Sequence, residues 1–596
     1  MAIDETSGAG SEVRSNTTTP IQRGSAVFSE APGELASDTR SELDAALEAL
    51  HGARGTWVQT SAAERLALLE QISNDLFRVA ERWVAACAEA KGIDPASSRV
   101  GEEWGAFAVV MRLLSCLREA YRDIIAVGRP RIPGPIIARP DGQVVARVFP
   151  GNTYDRLFYM GQTGEVWLDP ELSLEAFPDA HAAVCRPPEG DGSVSLVLGA
   201  GNFSNLGPGD VLHKLFSEHR VVILKCNPVN DYLRPLIEEA FRALVEAGFL
   251  RVVSGGAAEG AYLIQHELVD DLHLTGSDKT YEAIVFGVGE EGRKRKAERR
   301  PIVTKPFSCE LGNLSPVIVV PGPWSARDLA YQGEHLASMI TFNAGFNCLS
   351  TRVIVQHRGW EHRQALLDVM RRVFRETAPR KAYYPGAEAI HRDFVQAHPE
   401  AEQFGDPPTG ALPWTLISDV DPAGEDDPCF TREAFCSLMS ETALEAPSPA
   451  DFVDEAVAFV NERVWGTLTA TLLVHPASLR DPELRAAVDR AVANLRYGTV
   501  GVNLWGIMGF LMKCTWGAFP GHPSHDIQSG QGVVNNSLML PRVQKSVIRG
   551  PFRQLLKPPV FVSHRAMVPL YERFVDFERQ PSVFKVPGIT WAAMRG

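Results

Sequence analysis

No stretch of the 596-residue chain approaches the ~18 to 20 uninterrupted apolar residues of a membrane-spanning helix; Gly, His or Lys breaks the longest candidates. Positive charge is short as well. With 59 Lys and Arg against 73 Asp and Glu, the net charge of -14 lacks the basic face of a nucleic-acid binder and gives no pull towards anionic lipid. The nine cysteines are odd in number, scattered and never spaced as Cys-x-x-Cys, which argues against a disulfide framework and a structural zinc site. The opening MAIDETSGAGSEVRSNTTTP has no apolar segment of the kind a secretory signal needs. No internal repeat of fixed period is present. These absences lead to the expectation of a cytoplasmic protein whose partners are small soluble molecules. No metal is expected either, since His522 and His525 lack further ligands at helical spacing.

What is present is ordinary globular composition, 45% hydrophobic and 22% charged, in a chain long enough for two or three domains. Residues 1–40 are rich in Ser, Thr, Gly and Pro and read as a flexible leader. At Ser61 a Ser-x-x-Glu capping box opens a helix with Leu69, Ile72, Leu76, Val79 and Trp83 on one face, the pattern of a surface helix. From Gly192 to about Ser277 short apolar strands alternate with amphipathic helices, which predicts a parallel sheet covered on both faces and a doubly wound, Rossmann-like unit. Ligands of such sheets bind beyond the carboxyl ends of the strands. Here those ends are GAGNFSN, KCNPVND and TGSDKT, holding Asn202, Lys225, Gly276 and Ser277. The charge run Glu290–Arg300 reads as a solvated face, and residues 384–410 as a polar, Pro-rich surface insertion.

One cysteine stands apart. In FNAGFNCLSTRVIV, Phe342 to Val355, Cys348 follows a small, turn-prone run and precedes a β-branched run that reads as a strand. A thiol held that way, with Gly345 permitting close backbone approach, suits a nucleophile.

In their order along the chain, these pieces resemble the aldehyde dehydrogenase superfamily. CELGNLSPVIVV resembles the family's Glu-Leu-Gly-Gly-x-x-Pro segment, and NAGFNC its Asn-x-Gly-Gln-x-Cys nucleophile motif with Asn343, Gly345 and Cys348 in register. GAGNFSN, LKCNP, REAFCSLMSE and GTVGVN resemble, respectively, the oxyanion loop, the cofactor-lysine strand, the Glu-x-Phe-Gly-Pro segment and the strand closing the catalytic domain. The similarity runs from about Ser61 to Gly532.

The resemblance implies an α/β fold with a Rossmann-like cofactor domain (residues 41–140 and 191–308), an α/β catalytic domain (309–530), and a small β oligomerisation element with a carboxyl-terminal arm (141–190 and 531–596). It implies NAD or NADP as cofactor and oxidation of an aldehyde to an acid through a cysteine thiohemiacetal and thioester. Cys348 would be the nucleophile, Asn202 the oxyanion donor and Glu310 the base. Lys225 would lie near the adenosine ribose, Gly276 and Ser277 near the pyrophosphate, Glu433 and Phe435 at the nicotinamide ribose. A homodimer or homotetramer is expected, with strands paired across subunits and the arm packed on a neighbour. Four positions depart from the family pattern: Pro228, Tyr281, Asn313 and Phe346. Two alternatives stay open, a CoA-acylating or acyl-reducing enzyme and a catalytically inert homologue.

Overall fold

The computed structural model describes residues 23–26 and 36–596, so most of the segment read as a leader lies outside the described residues. Within that segment Gly24–Ser25 forms a short strand, and the first helix begins at Arg40.

Three helices lead into the sheets: α1 (Arg40–Gln59), α2 (Ala62–Ala90) and α3 (Val100–Val127). Ser61 caps α2 as its sequence demands, its hydroxyl accepting from Glu64 N–H while the Glu64 carboxylate accepts from Ser61 N–H. The predicted stripe is buried along its whole length. The opposite face, with Glu70, Asn74, Arg78 and Glu81, is exposed as read, while packing against α3 and against the helix Arg234–Ala240 buries Arg65 and Asp75 as well.

The strand and helix alternation folds into the Rossmann-like unit. In space its strands run Leu250–Val253, Val221–Lys225, Val194–Leu198, Asp271–Thr275 and Phe307–Glu310, all parallel, with Gly530–Gln531 added antiparallel. Strand order reverses at Val194–Leu198, which lies between the second and fourth strands in sequence. A crevice opens there beyond the carboxyl ends.

The second sheet has eleven strands. A parallel core, Trp414–Val420, Leu438–Leu444, Val353–His357, Val317–Val319, Thr469–Leu473, Thr499–Val502 and Val543–Arg549, carries Glu402–Phe404 antiparallel on one side and continues antiparallel through Thr163–Leu168, Val144–Phe149 and Ile136–Ala138 on the other. Val543–Arg549, Thr163–Leu168 and Val144–Phe149 lie in the expected oligomerisation element. Val543–Arg549 pairs in the same chain with both Thr499–Val502 and Thr163–Leu168, and Ile136–Ala138 stands at the open edge of the sheet.

Part of the carboxyl-terminal arm packs on its own chain. Its helix Met567–Arg579 lies along α3. Gly101 and Gly105, one turn apart on α3, receive Met567 and Tyr571, and a Cβ on Gly105 would stand only 3.1 Å from the Tyr571 ring. Further along α3, buried Arg112 reaches Glu578 of the arm at 3.1 Å and Asp155 at 2.6 Å, which fixes the helix lengthwise.

Residues Glu290–Arg300 are solvated as read, since the helix Gly289–Ala297 buries only Gly292. The segment 384–410 is less of a surface insertion than its composition suggests. It contributes a helix, Ala387–Ala397, with Ile390 and Phe394 in the core. Among the described residues no helix is long and apolar enough to cross a membrane.

Candidate active site

A cavity of about 550 Å³ fills the crevice between the two sheets, and every residue singled out from the sequence lines it: Asn202, Lys225, Gly276, Ser277, Glu310, Cys348, Glu433 and Phe435. They arrive from elements far apart in the chain. Asn202 follows the strand Val194–Leu198, Lys225 ends its own strand, Ser277 caps the helix Asp278–Phe286, and Glu310 ends Phe307–Glu310. Strand ends place all four on one rim.

Cys348 sits on a loop whose backbone is strained. Asn343 and Ala344 have φ of 52° and 54°, the left-handed region, and Gly345 follows at 82°. Non-glycine residues there cost ~1 to 2 kcal/mol each, so neighbours must hold the turn. Asn343 Nδ2 donates to the carbonyls of Asn202 (3.1 Å) and Phe346 (2.8 Å), and Asn343 N–H donates to Glu102 at 2.9 Å. Lys91 Nζ donates to Asn343 Oδ1 at 3.0 Å and to Glu103 at 2.8 Å, while Tyr383 Oη donates to the Asn202 carbonyl at 2.9 Å. Arg352 closes the loop from below on the Gly345 and Cys436 carbonyls. The Cys348 loop and the Asn202 loop are therefore one hydrogen-bonded unit.

Lys91, Glu102, Glu103 and Tyr383 escape sequence reasoning. An adjacent Glu pair at a helix start reads as a solvated first turn, and only tertiary packing shows that both are buried. Tyr383 and Tyr384 open the segment taken for an insertion. With Phe346 they form an aromatic group beside Phe435, the Tyr384 and Phe435 rings standing 5.1 Å apart.

The titratable groups shape the chemistry. Burial pushes Glu310 up to about 8, a hydrogen bond with Cys348 pulls against it, and Asp210 and Glu433 add to the rise. Burial, with the neighbouring Glu310 carboxylate, raises the Cys348 thiol well above its ordinary range. Glu433 is pushed up to about 7 by burial against the pull of Arg352. Burial lowers Lys225, whose ammonium donates to the Gly255 carbonyl. All nine cysteines are free, and Cys348 is the one that is not fully buried. Cys309, next to Glu310 in sequence, is buried and pushed up to about 12 by that burial.

Three of the departures from the pattern have a visible outcome. Tyr281 turns into the core, its ring 5.1 Å from Phe307, and does not line the cavity. Asn313 donates its N–H to Glu433 at 3.2 Å. Phe346 joins the aromatic group named above. The His/Cys/Asp/Glu group that could hold a metal among the described residues is His398, Asp427 and Cys429, not the His522 and His525 pair. Its imidazole already lies between two carboxylates, Glu400 at 2.9 Å and Asp427 at 3.1 Å.

One contact was not legible in the sequence at all. Gly24–Ser25 pairs with Arg432–Glu433, Ser25 Oγ donates to Glu433 at 3.2 Å, and Ser25 N–H donates to Asp278 at 2.8 Å. Ser25 thus stands in the cavity over Gly312.

No curated protein matches the chain. An aldehyde dehydrogenase family profile matches residues 220–383, a span that contains Lys225, Gly276, Ser277, Glu310 and Cys348. Solved structures share the fold at low identity. A putative aldehyde dehydrogenase from Burkholderia cenocepacia is 19% identical, with a TM-score of 0.57 over 86% of this chain and 92% of that one. An indole-3-acetaldehyde dehydrogenase in complex with NAD+ is 18% identical, with a TM-score of 0.57 over 89% and 97%. An NADP-dependent glyceraldehyde-3-phosphate dehydrogenase from Bacillus halodurans, in complex with NADP, is 16% identical, with a TM-score of 0.54 over 86% and 92%. The chain thus carries a segment similar to the aldehyde dehydrogenase family and shares the fold of these structures.

Proposed function

We propose that the protein is an NAD(P)-dependent aldehyde dehydrogenase that makes a free carboxylic acid through a thioester on Cys348. The observation that carries this reading is the meeting of the one incompletely buried cysteine, Cys348, with Glu310 and Asn202 in a single cavity.

The residues suit the cofactor. Apolar Ile264, Val288 and Ile302 beside Lys225 offer a slot for adenosine, and the helix opening at Ser277 presents its N-terminus to the pyrophosphate. Glu433 is suited to ribose hydroxyls, although Ser25 now occupies its carboxylate. Pro228 supplies no carboxylate to repel a 2'-phosphate, so either NAD or NADP is accommodated. When bound, the cofactor accepts the hydride.

The chain's own groups do the rest. The resting thiol is protonated, and Glu310, whose raised pKa makes it a proton acceptor, takes that proton as Sγ attacks the aldehyde carbon. The oxyanion is met by Cys348 N–H and by Asn202 Nδ2. One Asn202 N–H is already committed to the Phe346 carbonyl at 3.2 Å, which orients the other. Loss of hydride leaves the thioester. Once Glu310 has passed that proton to solvent, its carboxylate takes one from water, whose oxygen attacks the thioester carbon; the C–S bond breaks, Cys348 Sγ regains a proton and the acid is released, which separates this reading from thioester capture by a second thiol.

The test is transient kinetics. Cys348→Ser should fold and show no turnover, whereas Glu310→Gln should give one burst of NAD(P)H and then stall with the acyl group on Cys348, visible by mass spectrometry. Full turnover in Cys348→Ser, or equal slowing of both phases in Glu310→Gln, contradicts the assignment.

A further inference from the structure

Cys348 also faces a second, much smaller cavity. Its walls come from α3 (Val109), from Phe342, Met508 and Phe510, and from the carboxyl-terminal arm, which supplies Val560 and Tyr571. No charged side chain lines it. Its volume is about 60 Å³. An apolar cavity of ~150 Å³ is what accommodates benzene, so this one has room for a chain of roughly two to four carbons and not for a ring.

Two amide side chains line it, Asn205 and Asn347. Asn347 is 1% exposed and lines the cavity beside Cys348. Its Oδ1 accepts from Leu349 N–H at 2.9 Å, which sets the amide orientation, and its Nδ2 is then a buried donor with no partner. A buried amide N–H left unpaired costs ~1 to 3 kcal/mol, which an acceptor atom of a ligand at this point would recover.

The far end is closed by the arm. Gly105 on α3 admits the Tyr571 ring, and the Arg112–Glu578 ion pair holds the arm helix in register, so the position of that ring is fixed by packing remote from the thiol. We infer that this cavity selects short, uncharged aliphatic aldehydes, with Asn347 Nδ2 a further donor to the carbonyl oxygen besides Cys348 N–H and Asn202 Nδ2, and Tyr571 of the arm setting the maximum chain length. The inference rests on the aldehyde-oxidising reading above and names its substrate class. In this role Tyr571 is a specificity residue, and the arm is part of the substrate site.

The experiment is kcat/KM for the full chain over straight-chain aldehydes from propanal to decanal, with benzaldehyde and succinic semialdehyde alongside. Wild type should peak at three or four carbons and fall at least tenfold by octanal, benzaldehyde and succinic semialdehyde. Tyr571→Ala should raise octanal or benzaldehyde at least tenfold relative to propanal, and Val560→Ala, which leaves the arm helix untouched, should move the profile the same way by less. Asn347→Leu, which keeps the branching but is larger and has no donor, should lower kcat/KM across the series, propanal included. A wild-type preference for benzaldehyde or octanal overturns the inference and leaves the aldehyde dehydrogenase reading standing. Parallel profiles in wild type, Tyr571→Ala and Val560→Ala overturn the role of the arm. Failure of every aldehyde to yield NAD(P)H overturns both readings.

Discussion

Glu310→Gln should make the protein more stable in alkaline solution while removing its turnover. Glu310 is 3% exposed, and burial holds its carboxyl up at about 8, against ~4.3 in an unfolded chain. The folded state therefore retains a proton that the unfolded state has lost. A raised carboxyl pKa costs nothing below the unfolded value, and stability falls as pH rises from there until the folded pKa is passed. At 1.36 kcal/mol per unit the ceiling is ~5 kcal/mol, of which ~2.5 kcal/mol falls between pH 6 and pH 9. Glutamine keeps the shape and never ionises. Urea unfolding of both proteins at pH 6, 7.5 and 9 measures the effect, since Glu433 contributes in the same direction to each and largely cancels in the difference. The stability gap in favour of Glu310→Gln should widen with pH, by up to ~2.5 kcal/mol from pH 6 to 9. The deacylation rate of wild type should rise over the same range as the carboxylate forms. A gap that is constant with pH, or one that closes, refutes the argument that Glu310 is buried as an acid and works as a base.

Arg112→Met should destabilise the fold by ~3 to 5 kcal/mol, because Glu578 and Asp155 are left buried without their cation. Chemical denaturation checks this, and an effect under 1 kcal/mol would mean the arm is held otherwise. Removal of residues 1–26 should tighten NAD(P)H binding about threefold to tenfold, since Ser25 no longer holds the Glu433 carboxylate, and fluorescence titration reads it directly. Weaker binding would instead make Ser25 part of the cofactor site.

Strand ends carry information that survives in sequence. Near-continuous apolar strands separated by amphipathic helices permit only a covered parallel sheet, and the crevice of such a sheet lies just past the strands, which is why Asn202, Lys225, Gly276 and Ser277 could be placed on the cavity wall. Cys348 was legible because its neighbours, a turn and then a strand, are local. What failed was whatever depends on the partner and not on the segment. The aromatic and β-branched run before Gly192 reads as exposed edge strands, yet only the tertiary fold reveals that Val543–Arg549, nearly 400 residues away, pairs with one side of it from the same chain and leaves Ile136–Ala138 at the outer edge. Glu102 and Glu103 read as a solvated helix start, and burial beside Asn343 and Lys91 turns them into supports of the Cys348 loop. The arm reads as amphipathic, but which surface receives it depends on the two missing side chains at Gly101 and Gly105 of α3. Periodicity and spacing are properties of one segment and are written in it. Edge closure, buried charge and the end wall beside Cys348 belong to pairs of segments, and folding alone brings those pairs together.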